Sequence, residues 1–152
     1  MIPTSFRDSR ALWLLLLFDR ILKRAIVWGQ LCPAKVLPFL SCKVTFNRGA
    51  SWSLFDYGSD YSFYLLTFLI TIFLCGFAWY VHKRAEDDCD TLGEMLVLVG
   101  GTSNLMDRFL YGGVVDFIHL SYGRWSFPIF NFSDVYIVIG VCMMLYNAFY
   151  EE

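Results

Sequence analysis

SFYLLTFLITIFLCGFAWYV, residues 62–81, runs for twenty residues without a charge. A helix needs about 20 apolar residues to cross the hydrocarbon of a bilayer, so this stretch reads as a transmembrane span. The rest of the 152-residue chain agrees: 57% of it is hydrophobic, 17% charged, and its mean hydropathy is +0.52. Soluble domains carry about a quarter charged residues. Aromatic residues make up 19%, and many fall near the ends of apolar runs, where interfacial belts form. A net charge of -2 and a pI near 5.6 leave no basic footprint, which excludes nucleic acid as a partner. The length is that of one domain, expected to occupy residues 1–152.

Outward from that span, three further apolar stretches read as helices with a polar end. Residues 92–106 run into Asp107 and Arg108, giving an expected helix over 92–111, and residues 134–150 are apolar after Asp134. Residues 11–28 hold Asp19, Arg20, Lys23 and Arg24 behind ALWLLLLF. Arg7 and Arg10 ahead of that apolar run resemble the start of a secretory signal peptide. No small-x-small cleavage site follows Phe18, however, and the charges are regularly spaced. Asp19 and Lys23 share one helical row and Arg20 and Arg24 the next, so the first row can face inward while the second reaches for headgroups. The expected fold class is therefore mainly α and integral to a membrane, with four transmembrane helices over about 11–28, 62–81, 92–111 and 134–150.

The connections are uneven. Residues 29–61 are too long for a simple turn and should hold structure of their own. Within them KVTFNRGASWSLF reads as a strand, a turn at residues 47–49 and a second strand. HKRAEDDCD, residues 82–90, reads as a short solvated loop, and residues 112–131 join the third and fourth helices. Of five cysteines, Cys32 and Cys42 share the long connection and can pair if it faces an oxidising compartment. No His/Cys/Asp cluster has metal-ligand spacing, and no phosphate-binding or dinucleotide motif occurs.

What remains is a polar constellation at one membrane face: Asn47, Asn104, Asp107, Arg108, Asp116, Asn131 and Asp134, joined by Asp19 and Lys23. Asp107 and Arg108 follow Asn104 by three and four residues, so on the third helix they share a side with it. Ion pairs and amide bonds that merely glue helices together are the bland reading. Asp107 beside Arg108, and Asp19 with Lys23, fit it well. Asp116 in GGVVDFIHL and Asp134 in FPIFNFSDVYIVIG fit it less well, since neither has an adjacent cation. Carboxylates in such apolar surroundings are costly unless they are paired, protonated or used. Two of them brought close share a proton, so that one takes a proton from water while the other donates to a carbonyl. Asp134, after Asn131 and Ser133 at a helix start, suits the ionised role; Asp116, among Val114, Val115, Phe117 and Ile118, suits the raised pKa.

Several separated blocks, in order from residue 19 to residue 140, resemble lipoprotein signal peptidase, the bacterial signal peptidase II. DRILK resembles the family's D-x-x-x-K segment and FNRGASWSLF its N-x-G-A-A-F block. GGTSNLMDRFLYGGVVDFIHL resembles its N-x-x-D-R and V-V-D-F run, and FPIFNFSDVYIVIG its F-N-x-A-D block. The resemblance implies that Asp116 and Asp134 are a catalytic dyad, with Asn47, Gly49, Asn104, Arg108 and Asn131 around the substrate, and with Asp19, Lys23 and Asp107 structural or supporting from behind. It implies four transmembrane helices in the bacterial cytoplasmic (inner) membrane, both termini cytoplasmic, a monomer, an extracytoplasmic β-cradle in the first long loop, and a site near the outer face. The implied substrate is a diacylglyceryl-modified prolipoprotein, met among membrane lipids and cut before the lipidated cysteine; no metal or organic cofactor is implied. Trp52, Trp125 and Phe130 would offer apolar walls.

Two features pull against the pattern. Ser51, Trp52, Ser103 and Ser133 replace more usual residues, with Gly common at 103 and Ala at 133, and Arg48 is unexpected. Charge asymmetry also points the other way. Arg7, Arg10, Lys83 and Arg84 share the side of the termini, against eight cations opposite: Arg20, Lys23, Arg24, Lys35, Lys43, Arg48, Arg108 and Arg124. Read literally, the positive-inside rule puts the long loop in the cytoplasm; several of those eight sit beside polar partners, which weakens the count. The competing functions are a small proton-coupled transporter subunit, which calls for a carboxylate near mid-helix, and a non-catalytic membrane scaffold.

Overall fold

A computed structural model describes residues 4–29, 31–32, 35–49 and 60–150, with side chains from residue 10 onward. The described elements are α1 (Thr4–Val27), β1 (Leu40–Asn47), α2 (Asp60–Glu86), α3 (Leu92–Tyr111), β2 (Val114–Tyr122), β3 (Trp125–Ser126) and α4 (Phe132–Tyr150). Four helices thus carry a small antiparallel sheet, and α2 and α4 are long and apolar enough to cross a membrane. Along α2 only Phe63, Thr67, Leu74 and Val81 are buried. Tyr64, Phe68, Ile72, Phe73 and Trp79 point outward, the arrangement of a helix whose surroundings are themselves apolar. The hydroxyls of its two threonines are satisfied within the helix, Thr67 donating to the Phe63 carbonyl and Thr71 to that of Thr67, both at 2.8 Å.

The charged run after residue 81 does not start a loop. His82 and Lys83 reach Glu86 at 3.4 and 2.8 Å, one turn on, and α2 continues to Glu86. Cations in the last turn also favour the helix dipole, which is why the helix outlasts its apolar stretch.

α3 is the hub, packing on α1, α2 and α4. Small residues set its distances. A Cβ on Gly100 would strike the Ser133 carbonyl and Ile137, one on Gly140 the Gly93 carbonyl, and one on Gly101 the Leu74 side chain at 2.7 Å. Helix backbones approach this closely only where side chains are missing. α3 stops at Gly112, whose φ of 70° supplies the left-handed cap.

Of the hairpin expected within the first long connection, the described residues hold the first strand, β1. β1 pairs with β2, in the connection between α3 and α4, with Thr45 opposite Asp116 and Asn47 opposite Val114. The proposed second strand lies outside the described residues. The β-structure is therefore shared between two connections distant in sequence, and residues 114–122, read as part of a linker, form its central strand. Alternation along β2 sends Val115 and Phe117 against Ile26 and leaves Val114 and Asp116 facing the opposite way, into a cavity. After β3 the chain returns along β2: the Phe127 amide reaches the Leu120 carbonyl, and Phe130 exchanges backbone bonds with Ile118. That return delivers Asn131 and the start of α4 beside Asp116. A disulfide joins Cys32 to Cys42 and ties the chain after α1 to β1.

Candidate active site

A cavity of about 460 Å³ opens between α2, α3, α4 and β2. Asp116, Asp134, Asn47, Gly49, Asn104 and Arg108 supply its polar lining; Ile70, Leu105, Phe130, Val135 and Ile139 are among its apolar walls. Trp52 lies outside the described residues. Trp125, expected in the wall, is instead 58% exposed on β3 and stands behind Phe127, with ring centroids 5.9 Å apart.

Asn131 ties the two carboxylates together. Its side-chain Nδ2 donates to Asp116 Oδ1 at 2.6 Å, and its backbone N–H donates to Asp134 Oδ2 at 3.1 Å. In return the Asp134 N–H donates to Asn131 Oδ1 at 3.0 Å, so residues 131 and 134 form a reciprocal cap at the start of α4. Asn131 is fully buried, beneath the two carboxylates rather than facing the cavity.

Each remaining carboxylate oxygen has its own amide. Asn47 Nδ2 donates to Asp116 Oδ2 at 3.1 Å while its Oδ1 accepts the Gly49 N–H at 3.0 Å. Asn104 Nδ2 donates to Asp134 Oδ1 at 2.8 Å. The chain just after Asn47, the last residue of β1, is gripped by Arg108, whose guanidinium donates to the Arg48 carbonyl at 3.1 Å and also to that of Gly49, while lying over the Phe63 ring. Arg108 thus does not pair with Asp107, as their adjacency suggested. Neighbours on a helix face different ways, and Asp107 turns toward α1.

There it meets Arg20, and Lys23 Nζ at 2.8 Å, while Lys23 also reaches Asp19 at 3.1 Å. Asp19, Lys23 and Asp107 are fully buried. The expectation that Arg20 would reach for headgroups fails, because a buried carboxylate on α3 offers a stronger partner. Arg24 does lie outward, over the Trp28 ring at 4.3 Å.

Burial first, and then the charge of Asp134, push the Asp116 carboxyl up from 3.8 to about 7, against the Asn47 and Asn131 hydrogen bonds and Lys23, which favour its ionised form. A carboxyl in that state keeps a proton near neutral pH and can donate it. Sequence reasoning placed Asn131 in the site without its reciprocal cap to Asp134, and it missed Gly100, Ser103 and Ser133 as contributors. Asn131 as an N-cap was available from the N-x-x-D spacing. Gly100 was visible only as a small residue one turn before Asn104. Ser103 and Ser133 stood out only as departures from a pattern.

The profile of Signal peptidase (SPase) II matches residues 11–150. The lipoprotein signal peptidase of Rickettsia conorii (strain ATCC VR-613 / Malish 7) is 34% identical over 146 residues, covering 93% of this chain and 72% of that protein. That of Chlamydia felis (strain Fe/C-56) is 35% identical over 124 residues, covering 81% and 69%. A solved bacterial membrane enzyme, determined by the in meso method at 2.3 Å resolution, superposes with a TM-score of 0.74 at 26% identity, over 96% of this chain and 89% of that one. A family profile over nearly the whole chain, joined by relatives above 30% identity along most of it, leads to one conclusion: the chain belongs to the signal peptidase II family and is a peptidase.

Proposed function

We propose that this peptidase is an aspartic endopeptidase which removes signal peptides from diacylglyceryl-modified prolipoproteins, cutting before the lipidated cysteine, with Asp116 and Asp134 as the dyad. The observation that carries the reading is Asn131, which holds both carboxylates from one buried side chain and backbone. In the first step Asp134 takes a proton from water, the resulting hydroxyl oxygen bonds to the scissile carbonyl carbon, and Asp116 protonates the carbonyl oxygen. In the second, the protonated Asp134 passes its proton to the leaving nitrogen, the C–N bond breaks, and Asp116 recovers a proton from the hydroxyl as the carbonyl reforms. Asn47, Asn104 and Asn131 hold the acids; Arg108 and Gly49 shape the cavity mouth; Asp19, Lys23 and Asp107 brace α1 against α3.

The reading extends to the surroundings. Four spans in the bacterial cytoplasmic membrane, as a monomer with both termini in the cytoplasm, place the sheet and site near the outer face. The Cys32–Cys42 disulfide supports that orientation, since disulfides persist in oxidising compartments. A transporter subunit would call for a mid-helix carboxylate; Asp116 lies on a strand and Asp134 in the first turn of a helix. The test is purified protein in detergent with one precursor in two forms, diacylglyceryl-modified and unmodified. Cleavage of the lipidated form alone, just before the modified cysteine, is expected. Equal cleavage of both forms, or of neither, contradicts the proposal.

A further inference from the structure

Behind the dyad, two serines meet on one buried oxygen. Asp19 Oδ2 accepts from Ser103 Oγ at 2.5 Å and from Ser133 Oγ at 2.8 Å, and Lys23 Nζ lies 3.1 Å away. Both serines are at most 1% exposed. Ser103 precedes Asn104 on α3 and Ser133 precedes Asp134 on α4, so the α1 carboxylate fastens α3 to α4 one residue away from the Asn104–Asp134 hydrogen bond.

Lys23 supplies the second half of the device. Its ammonium donates to Asp107 at 2.8 Å and to Asn104 Oδ1 at 2.9 Å, with Ser133 Oγ at 3.3 Å. An amide whose oxygen is held by an ammonium must present its NH₂ at the other end. Asn104 is therefore turned so that it donates to Asp134; the flipped amide would set oxygen against carboxylate and NH₂ against ammonium. The ammonium has three hydrogens and four acceptors within reach. Hydroxyl donors on Asp19 lessen that carboxylate's claim on Lys23 and leave hydrogens for Asp107 and Asn104.

We propose that Ser103 and Ser133 are positioning residues for the peptidase reaction: through Asp19 and Lys23 they fix the separation and amide orientation of Asn104 against Asp134. This rests on Asp134 being a member of the dyad. The charged groups around Asp134 are Asp116 from β2, Asp19, Arg20 and Lys23 from α1, and Asp107 and Arg108 from α3; the serines act on the α1 pair.

Ser103→Ala, Ser133→Ala and the double variant test it, together with Asp134→Asn. Alanine removes only the hydroxyl at each position, and the thermal transition of each variant is compared with that of wild type. With a diacylglyceryl-modified precursor, each serine variant should lower kcat roughly three- to ten-fold at unchanged KM, and the acid limb of the kcat/KM profile should move up by about half a pH unit. A reduced fraction of folded enzyme would lower kcat without moving that limb. The double variant should cost less than the product of the two single losses, because both act on one oxygen. A double variant whose pH profile superposes on wild type, while Asp134→Asn is inactive, overturns the serine role and leaves the dyad standing. Full cleavage by Asp134→Asn overturns both.

Discussion

At Asp116, burial and the neighbouring Asp134 carboxylate oppose ionisation together, and three weaker influences oppose them. Its carboxyl binds a proton more tightly in the folded chain, at about 7, than in an unfolded one near 3.8. Between those values the folded state holds a proton that the unfolded state has lost, so this group's contribution to stability falls as pH rises through the window. At 1.36 kcal/mol per unit the full effect is on the order of 4 kcal/mol. Asp116→Asn removes it, so the apparent Tm of that variant minus that of wild type should rise from pH 4 and level off above about pH 7; a flat difference contradicts the raised carboxyl. The kcat/KM of the wild type should fall above about pH 7 as the acid is lost. At this scale the sequence was informative. Two carboxylates in apolar runs without adjacent cations announce themselves, because water is the only cheap place for an isolated charge. The Arg20–Asp107 pairing was not legible, since it depends on how α1 is rotated against α3.

Among the elements, the contact of α3 with α4 decides whether the residues of the site meet. Gly100, one turn before Asn104, lies against the carbonyl of Ser133, the residue before Asp134. Gly100→Ala should push α4 away, lowering kcat about ten-fold or more and reducing the apparent Tm, since overpacking costs about 1–3 kcal/mol. Gly76→Ala, with open space at its Cβ, is the control and should lower neither. Unchanged cleavage by Gly100→Ala would show that the close approach is dispensable. The helices were readable because an apolar run of fixed length has one stable form in a bilayer. β2 was not. VVDFIHL offers no clean alternation, and its partner strand lies in another connection, so pairing could not be inferred from local pattern.

For the molecule as a whole, the proposed orientation in the membrane and the integrity of the sheet both draw on Cys32 and Cys42. The bond closes a short loop against β1, the strand that ends at Asn47. Replacing both cysteines with serine should cost roughly 2–3 kcal/mol of stability, read as a lowered apparent Tm that no longer responds to reductant. A double variant as stable as wild type would show that β1 is held by β2 alone. The pairing itself was one of the possibilities the sequence left open, because it depends on which side of the membrane the loop faces. Three of the cations in the charge count, Lys23, Arg20 and Arg108, are engaged with Asp19, Asp107 and backbone carbonyls. The account stands on two side chains that meet at Asn131, and the most direct measurement is the cleavage rate of a diacylglyceryl-modified precursor by Asp116→Asn and Asp134→Asn, each first shown to keep the wild-type circular dichroism and elution volume. Both variants should lose at least about a thousand-fold in kcat; a rate within ten-fold of wild type in either would contradict the dyad.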